Sequence, residues 1–354
     1  SGQTEDQVAR RAIELAERDS REAATDERRI HVGTYLIGGG RQELARLIQC
    51  REKPRFRVLQ WIYRHHSVVY FFGLGFFTAA FIALIFLLGM RGQTPEVRLL
   101  IVFLLLIPAS QLSLEIVNYV VTRLLPPRTL PKMDFEDSGI PDEFRTLVVV
   151  PMMLVNMDTI RTAADNLEIR YLANKESNLL FGLYSDYTDS NQEHGEEDES
   201  LLRAVTEGIA ALNNRYGGER FFLFHRERRW SESEQKFIGW ERKRGKLEEL
   251  NRLIDGTRPE DAGRLVYVGD PDRLSDVRFI ITLDSDTQLP SGTARRMIET
   301  LAHPLNQPRF DTDGTIKTGS YAIIQPRVSP SLPSTNASLF SRLFSDPVGI
   351  DPYT

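Results

Sequence analysis

Phe279-Ile-Ile-Thr-Leu283 runs directly into Asp284-Ser-Asp286. A short, β-rich apolar run therefore ends in two carboxylates one residue apart. Strand residues i and i+2 share a face, so Asp284 and Asp286 can point the same way as the strand opens into a loop. Hard divalent cations take carboxylate oxygens, and Mg²⁺ is often held by one or two carboxylates plus substrate phosphates. Ligands in open α/β sheets bind at the carboxyl ends of strands. The pattern implies a metal–diphosphate site of the kind a nucleotide-sugar transferase needs; its alternative is a solvated turn. The same spacing recurs in Asp270-Pro-Asp272 and Asp311-Thr-Asp313, but neither directly follows such a strand and both read as turns.

Upstream of the carboxylates, strand and helix patterns alternate. Leu147–Val150, an apolar run ending at Pro151, suits a strand buried on both faces. Leu179–Tyr184, Phe221–His225 and Leu265–Val268 read as further strands. Thr159–Asn174, Ser200–Asn214 and Lys243–Ile254 read as helices, with Ser200 as a cap. Beyond the carboxylates, Ser291 is expected to cap a helix through Leu301, and Tyr321–Pro326 to form another strand. The alternation predicts an α/β domain with a mostly parallel sheet over 141–354. A proline-punctuated linker, 123–140, precedes it.

The N-terminal third is different. Ser67–Met90 carries no charge, and Leu99–Thr122 carries only Glu115. As helices each reaches ~36 Å, enough to cross a ~30 Å hydrocarbon core. The sequence thus divides into an N-terminal segment 1–66, a transmembrane hairpin 67–122 (spans 67–90 and 99–122), the linker and the α/β domain. Arg51, Lys53, Arg55, Arg57 and Arg64 precede the first span, and Arg123, Arg128 and Lys132 follow the second. The connecting loop holds only Arg91 and Arg98, with Glu96 between them. Basic flanks stay on the cytoplasmic side, so both termini of this segment are expected there. Pro108 is expected to kink the second span. Gln111, Glu115 and Asn118 share one helical face: either they snorkel to the interface, or they pack on further membrane helices.

Glu5–Arg21 reads as an amphipathic helix with Val8, Ala12, Ile13 and Leu15 on one side, and Gly38-Gly-Gly40 as a turn. A net charge of −5 gives no reason to invoke nucleic acid. One cysteine, Cys50, excludes an internal disulfide and is expected to be a buried or inert thiol.

Two more constellations bear on chemistry. Asp186 ends the second expected strand, where a carboxylate can accept a hydrogen bond from a uracil N–H or a ribose hydroxyl, or simply start a turn. The stretch 225–246 is basic: Arg226, Arg228, Arg229, Lys236, Arg242, Lys243, Arg244 and Lys246. Such groups are natural partners of a diphosphate; a solvated helix is the plainer reading. Trp230 and Trp240 suit either sugar stacking or core packing.

Taken together, Thr146-Leu-Val-Val-Val-Pro151, Ser185-Asp-Tyr-Thr-Asp-Ser190, Gly239-Trp-Glu-Arg-Lys-Arg-Gly-Lys246, Leu283-Asp-Ser-Asp-Thr287 and Ile324-Gln-Pro-Arg-Val328 resemble the cytoplasmic transferase segment of bacterial cyclic β-1,2-glucan synthases. His31-Val-Gly-Thr-Tyr-Leu36 and Asp351-Pro-Tyr-Thr354 fit the same family. The resemblance runs from about residue 30 onward. It implies a glycosyltransferase-A-like fold, here incomplete, in the bacterial inner membrane. UDP-glucose would be the donor and the growing β-1,2-glucan the acceptor, in an inverting transfer assisted by Mg²⁺ or Mn²⁺. By the same resemblance Asp186 and Lys246 would bind the nucleotide, and Asp284 and Asp286 the metal and diphosphate. Family members are longer, with more membrane helices and a phosphorylase-like region. An inverting transfer needs a general base, and none stands out before Thr354. The chain is therefore expected to be a fragment with the donor half of the site, inactive alone. Rival readings are a cellulose- or hyaluronan-synthase-like polymerase and a non-catalytic nucleotide-binding scaffold.

Overall fold

The computed structural model describes residues 3–21, 27–50, 54–89, 92, 94–126, 129–256, 265–317, 319–326, 328 and 336–344. Arg51, Lys53, Arg91 and Arg128 of the basic flanks, Met90, Arg327 and the 351–354 motif lie outside them. The chain forms two compact units, one of them Pro131–Ile324.

The first unit opens with four short helices: α1 (Glu5–Arg21), α2 (Glu27–Ile30), α3 (Gly33–Leu36) and α4 (Arg41–Leu47). Ala12, Leu15 and Ala16 of α1 pack with Tyr35, Leu44 and Ile48. The periodicity that predicts α1 holds, but Ile13 lies one position off the buried stripe and is exposed. Asp19 is buried and accepts from the Tyr35 hydroxyl (2.6 Å), so this small core carries a polar clasp. Cys50 is an exposed free thiol rather than a buried one, because it follows the end of α4.

Next come α5 (Pro54–Arg64), α6 (His66–Gly89) and α7 (Pro95–Leu124). α6 and α7 are both long and apolar enough to cross a membrane. They pair as an antiparallel hairpin. Tyr70 donates to Asn118 (2.8 Å), Val117 faces Gly73, and Thr78 donates to Ser113 (3.1 Å). Small and polar residues at such a seam let backbones approach closely in an apolar solvent. α7 runs unbroken through Pro108. Of the three polar residues placed on one face, Asn118 serves the hairpin, whereas Gln111 and Glu115 are exposed.

The second unit is α/β. β1 (Thr146–Leu154) pairs in parallel with β2 (Leu179–Tyr187) and β7 (Phe279–Thr282), and β2 with β3 (Phe221–Arg226). β6 (Leu265–Val268) closes the far edge antiparallel to β3, so the order is β6-β3-β2-β1-β7. Strand side chains alternate between faces, and the core divides accordingly. Val148, Val150, Phe181, Leu183, Phe221 and Leu223 pack on α8 (Met157–Ala173), α9 (Asp198–Tyr216) and α11 (Thr293–Ala302). Leu147, Val149, Leu180, Tyr184, Phe222 and Phe224 pack on α10 (Arg242–Ile254). β4 (Arg229–Ser231) and β5 (Lys236–Ile238) form a separate hairpin.

Several boundaries differ from the sequence reading for identifiable reasons. β1 continues three residues past Pro151. Val149 accepts from Leu283 on the β7 side (3.1 Å), so Pro151 turns its missing N–H to the same side, where β7 has already ended. Ser200 lies inside α9 and donates to Glu197 O (2.7 Å) instead of capping. The α11 cap position is Gly292, with φ 69°, rather than Ser291. Tyr321–Pro326 forms no strand: the backbone bends at Ala322, and the Tyr321 N–H goes to Asn306 O (2.8 Å) rather than to a ladder.

Candidate functional site

The chain orders β2 and β3 on one side of β1 and β7 on the other. Such a reversal opens a crevice at the carboxyl ends of the strands, and the Asp284-Ser-Asp286 loop lies there. Asp284 and Asp286 are exposed. Their backbone is nonetheless fixed from below. Arg170, 4 % exposed, donates to the carbonyl of Ser285 (2.9 Å) and twice to that of Thr287 (3.2 and 2.8 Å). Burial pulls the Arg170 guanidinium down from the usual arginine range, and the Asp286 carboxylate opposes that shift. Asn174 continues the support, donating to Leu289 O (3.1 Å). Arg170 was not singled out in the sequence. Its signal was position: it shares the α8 stripe with Ile160, Leu167 and Tyr171, where an arginine needs a buried partner.

The second feature is a buried charge cluster at the ends of β2 and β3. Asp186 receives two hydrogen bonds from Arg226 (2.8 and 3.0 Å) and pairs with Lys246 Nζ at 3.0 Å. Glu249 lies 3.4 Å from Arg226 and accepts from the Tyr184 hydroxyl (3.1 Å). All four charged residues are about 5 % exposed or less. Burial lowers the Lys246 ammonium from the usual lysine range, while Asp186 supports its charge. The structure thus brings Asp186 and Lys246 together, each already engaged inside the protein. Three of the eight basic residues of 225–246 are spent on buried ion pairs: Arg226, Lys246, and Arg228 on Asp198.

The segment between these features is tightly held. Arg226 donates to the carbonyls of Trp240 (3.0 Å) and Arg242 (3.1 Å). Glu241 and Arg242 both take left-handed φ, 51° and 45°, a conformation that costs on the order of 1–3 kcal/mol per residue. Glycine is required on either side. A Cβ on Gly239 would come within 2.5 Å of Asp186 Oδ2, and one on Gly245 within 2.2 Å of Trp240 O. From the start of α10, Lys243 then reaches across to form an ion pair with Asp284. The one helix therefore supplies Lys246 to the buried cluster and Lys243 to the exposed carboxylates.

The donor set can be tested against a divalent cation. Among the described residues, no group of three or more His, Cys, Asp or Glu is gathered to hold a metal. Two exposed carboxylates with one lysine beside them fit a hard cation shared with phosphate oxygens, not one caged by protein. Trp230 and Trp240 are 48 % and 38 % exposed, so neither is core. Asp270 and Asp311 each accept the backbone N–H two residues on (3.0 and 3.1 Å), as turn aspartates do.

His225, between Arg226 and Phe224 on β3, is fully buried and meets Ser185 Oγ through Nδ1 (2.9 Å). Burial lowers its pKa to about 4, against an opposing pull from Asp186. A base depressed in the folded state is protonated first in the unfolded chain. Stability is therefore full above about pH 6.5 and falls as the pH drops toward 4, approaching about 1.4 kcal/mol per unit. Unfolding midpoints measured across that window should decline in the wild type and flatten in His225→Gln. Equal slopes would place the acid sensitivity elsewhere.

No family model matches the chain. It is 34 % identical over 367 aligned residues to the cyclic β-(1,2)-glucan synthase NdvB of Rhizobium meliloti (strain 1021). That alignment takes in 100 % of this chain and 12 % of the relative, so the chain spans about an eighth of that protein's length. Along its whole length, from the apolar hairpin through the α/β unit, the chain is thus related to the cyclic β-glucan synthases, and two of its helices are long and apolar enough to cross a membrane.

Proposed function

We propose that this chain carries the donor-binding part of a glucosyltransferase that uses UDP-glucose to build cyclic β-1,2-glucan by inverting transfer. The observation that carries the reading is the Asp284-Ser-Asp286 loop: two exposed carboxylates at the strand ends, on a backbone pinned by Arg170 and faced by Lys243. Asp284 and Asp286 would hold Mg²⁺ or Mn²⁺ against the donor diphosphate. The bound ion would supply Lewis acidity toward the leaving UDP. Lys243, which pairs with Asp284, would turn to the charge of the diphosphate. The Asp186–Arg226–Lys246 cluster fixes the 239–242 segment that borders the uridine end, with Asp186 and Lys246 as its nucleotide-side groups. The acceptor base, further membrane helices and a phosphorylase-like region would lie in the rest of a longer protein of which this chain is one part.

Calorimetry of UDP-glucose on the folded protein tests the reading. Binding is expected with Mg²⁺ or Mn²⁺ and should weaken at least tenfold when EDTA removes the ion. Binding unchanged by EDTA would sink the metal-assisted part, and no binding at all would sink the donor assignment.

The same reading places the hairpin in the bacterial inner membrane, both ends of this segment cytoplasmic, because the basic residues cluster beside α5 and after α7. A reporter fused after Leu125 should read cytoplasmic and one inserted near Gln93 periplasmic. The reverse pattern would overturn the orientation.

A further inference from the structure

The base of the hairpin carries positive charge that no described residue neutralises. In α1, Arg10, Arg11, Arg18 and Arg21 each pair with a carboxylate. By contrast, Arg57 and Arg64 of α5 and Arg123 of α7 make no ion pair or hydrogen bond among the described residues. Over 54–89 and 97–126 the only carboxylate is Glu115. The two basic ends meet in space: the Tyr63 hydroxyl donates to the carbonyl of Pro126 (2.5 Å), tying the end of α5 to the residue just past α7. Arg64 and Arg123 therefore stand at one end of the hairpin.

An apolar groove opens at that same end. It has a volume of about 410 Å³ and is lined by Ile62, Tyr63, Tyr70, Val117, Val121 and Leu125, among others. Its size falls in the ~300–1,000 Å³ range of small-molecule sites. Arg64 directly follows the lining residue Tyr63, and Arg123 lies between Val121 and Leu125. Long arginine side chains can carry their heads to the interface along apolar surface. α5 adds an interfacial character of its own. Its Arg57, Trp61 and Arg64 share one side (i, i+4, i+7), Trp61 is 56 % exposed, and no residue of the helix is fully buried.

We propose that this groove binds an anionic phospholipid, with an acyl chain between α6 and α7 and the headgroup phosphate on Arg64 and Arg123. The charge selects the occupant. A neutral lipid or another apolar helix fills a groove equally well but leaves the arginines at this end of the hairpin without an anionic partner among the described residues. The proposal rests on the hairpin spanning the membrane, so the two are separated in one experiment.

The full-length protein is purified from membranes and its bound lipid followed by native mass spectrometry, with phosphatidylglycerol and phosphatidylcholine as probes. Phosphatidylglycerol should be retained in preference. Arg64→Gln and Arg123→Gln should each weaken its retention roughly fivefold, and the pair roughly twenty-five-fold. Val121→Trp, which fills the groove but keeps both arginines, should displace the lipid as well. Equal retention of the two lipids, or no effect of the arginine pair, overturns the site. So does cross-linking of a Tyr70→Cys variant to another membrane segment of the same protein, which would make the occupant a helix. A cytoplasmic reading from a reporter inserted near Gln93 would instead remove the spanning hairpin itself, and the lipid site with it.

Discussion

Asp286→Asn should abolish glucan synthesis by the full-length protein while folding and membrane insertion survive. Asp286 is exposed and makes no hydrogen bond or ion pair among the described residues, so no packing depends on its charge. The loop geometry comes instead from Arg170, whose hydrogen bonds to the backbone carbonyls on either side of Asp286 do not use the substituted side chain. The substitution is nearly isosteric and removes one negative charge where the proposed cation and diphosphate would meet. A charge-assisted contact is worth ~1.5–3 kcal/mol in binding. Because the cation's second protein ligand is the only other carboxylate in the loop, the loss at the reaction step should be larger, at least a hundredfold. Asp272→Asn and Asp313→Asn are matched controls: both side chains are exposed, and in each turn the accepting carboxylate is the earlier aspartate. They should keep most activity. Near-normal synthesis by the Asp286 variant with Mg²⁺ or Mn²⁺, alongside loss in either control, would make the assignment wrong.

What the sequence made legible was local. An apolar run ending in Asp284-Ser-Asp286 reads as a strand with carboxylates at its carboxyl end because run length and period belong to a few neighbouring residues. The hairpin reads for the same reason, since twenty uncharged residues have few alternatives. The neighbour of each strand was not legible. Thr146 lies beside Phe279 across more than a hundred residues, and β6 turns antiparallel at the edge; both depend on contacts that no local pattern encodes. Tyr321–Pro326 shows the limit from the other side. Its residues favour an extended backbone, but a strand needs a ladder partner, which propensity cannot supply. In the candidate site the exposed members, Asp284 and Asp286, could be found from spacing. The buried groups beneath them and in the neighbouring charge cluster could not. Arg170, Glu249 and the Arg228–Asp198 pair look like ordinary surface charges until their partners arrive from distant elements.

The buried cluster gives the second large effect, on stability. Asp186→Ala should destabilise the α/β unit by about 3–5 kcal/mol, the usual cost of leaving a buried ion without its partner. Arg226 would lose both its hydrogen bonds to Asp186, and Lys246 its only carboxylate among the described residues. Lys246→Met should cost clearly less, about 1–2 kcal/mol. It removes the charge together with the side chain's need for a partner, and Asp186 keeps its two bonds from Arg226. Lys246 also donates to Met152 O (2.6 Å), so the carbonyl left behind accounts for much of that cost. The double variant should be less damaged than the two singles added together, because the stranded ammonium is then absent. Unfolding followed by tryptophan fluorescence suits the measurement: the Trp240 carbonyl is held by Arg226, so its ring reports on the segment the cluster fixes. The same variants separate support from binding. UDP-glucose affinity measured on folded Lys246→Met should fall about tenfold if the ammonium reaches the nucleotide side. Unchanged affinity would leave Lys246 a purely supporting role beneath the 239–242 segment. An Asp186→Ala protein within about 0.5 kcal/mol of wild type, the range of an ordinary surface change, would mean that the cluster is not the closed, charge-balanced unit described.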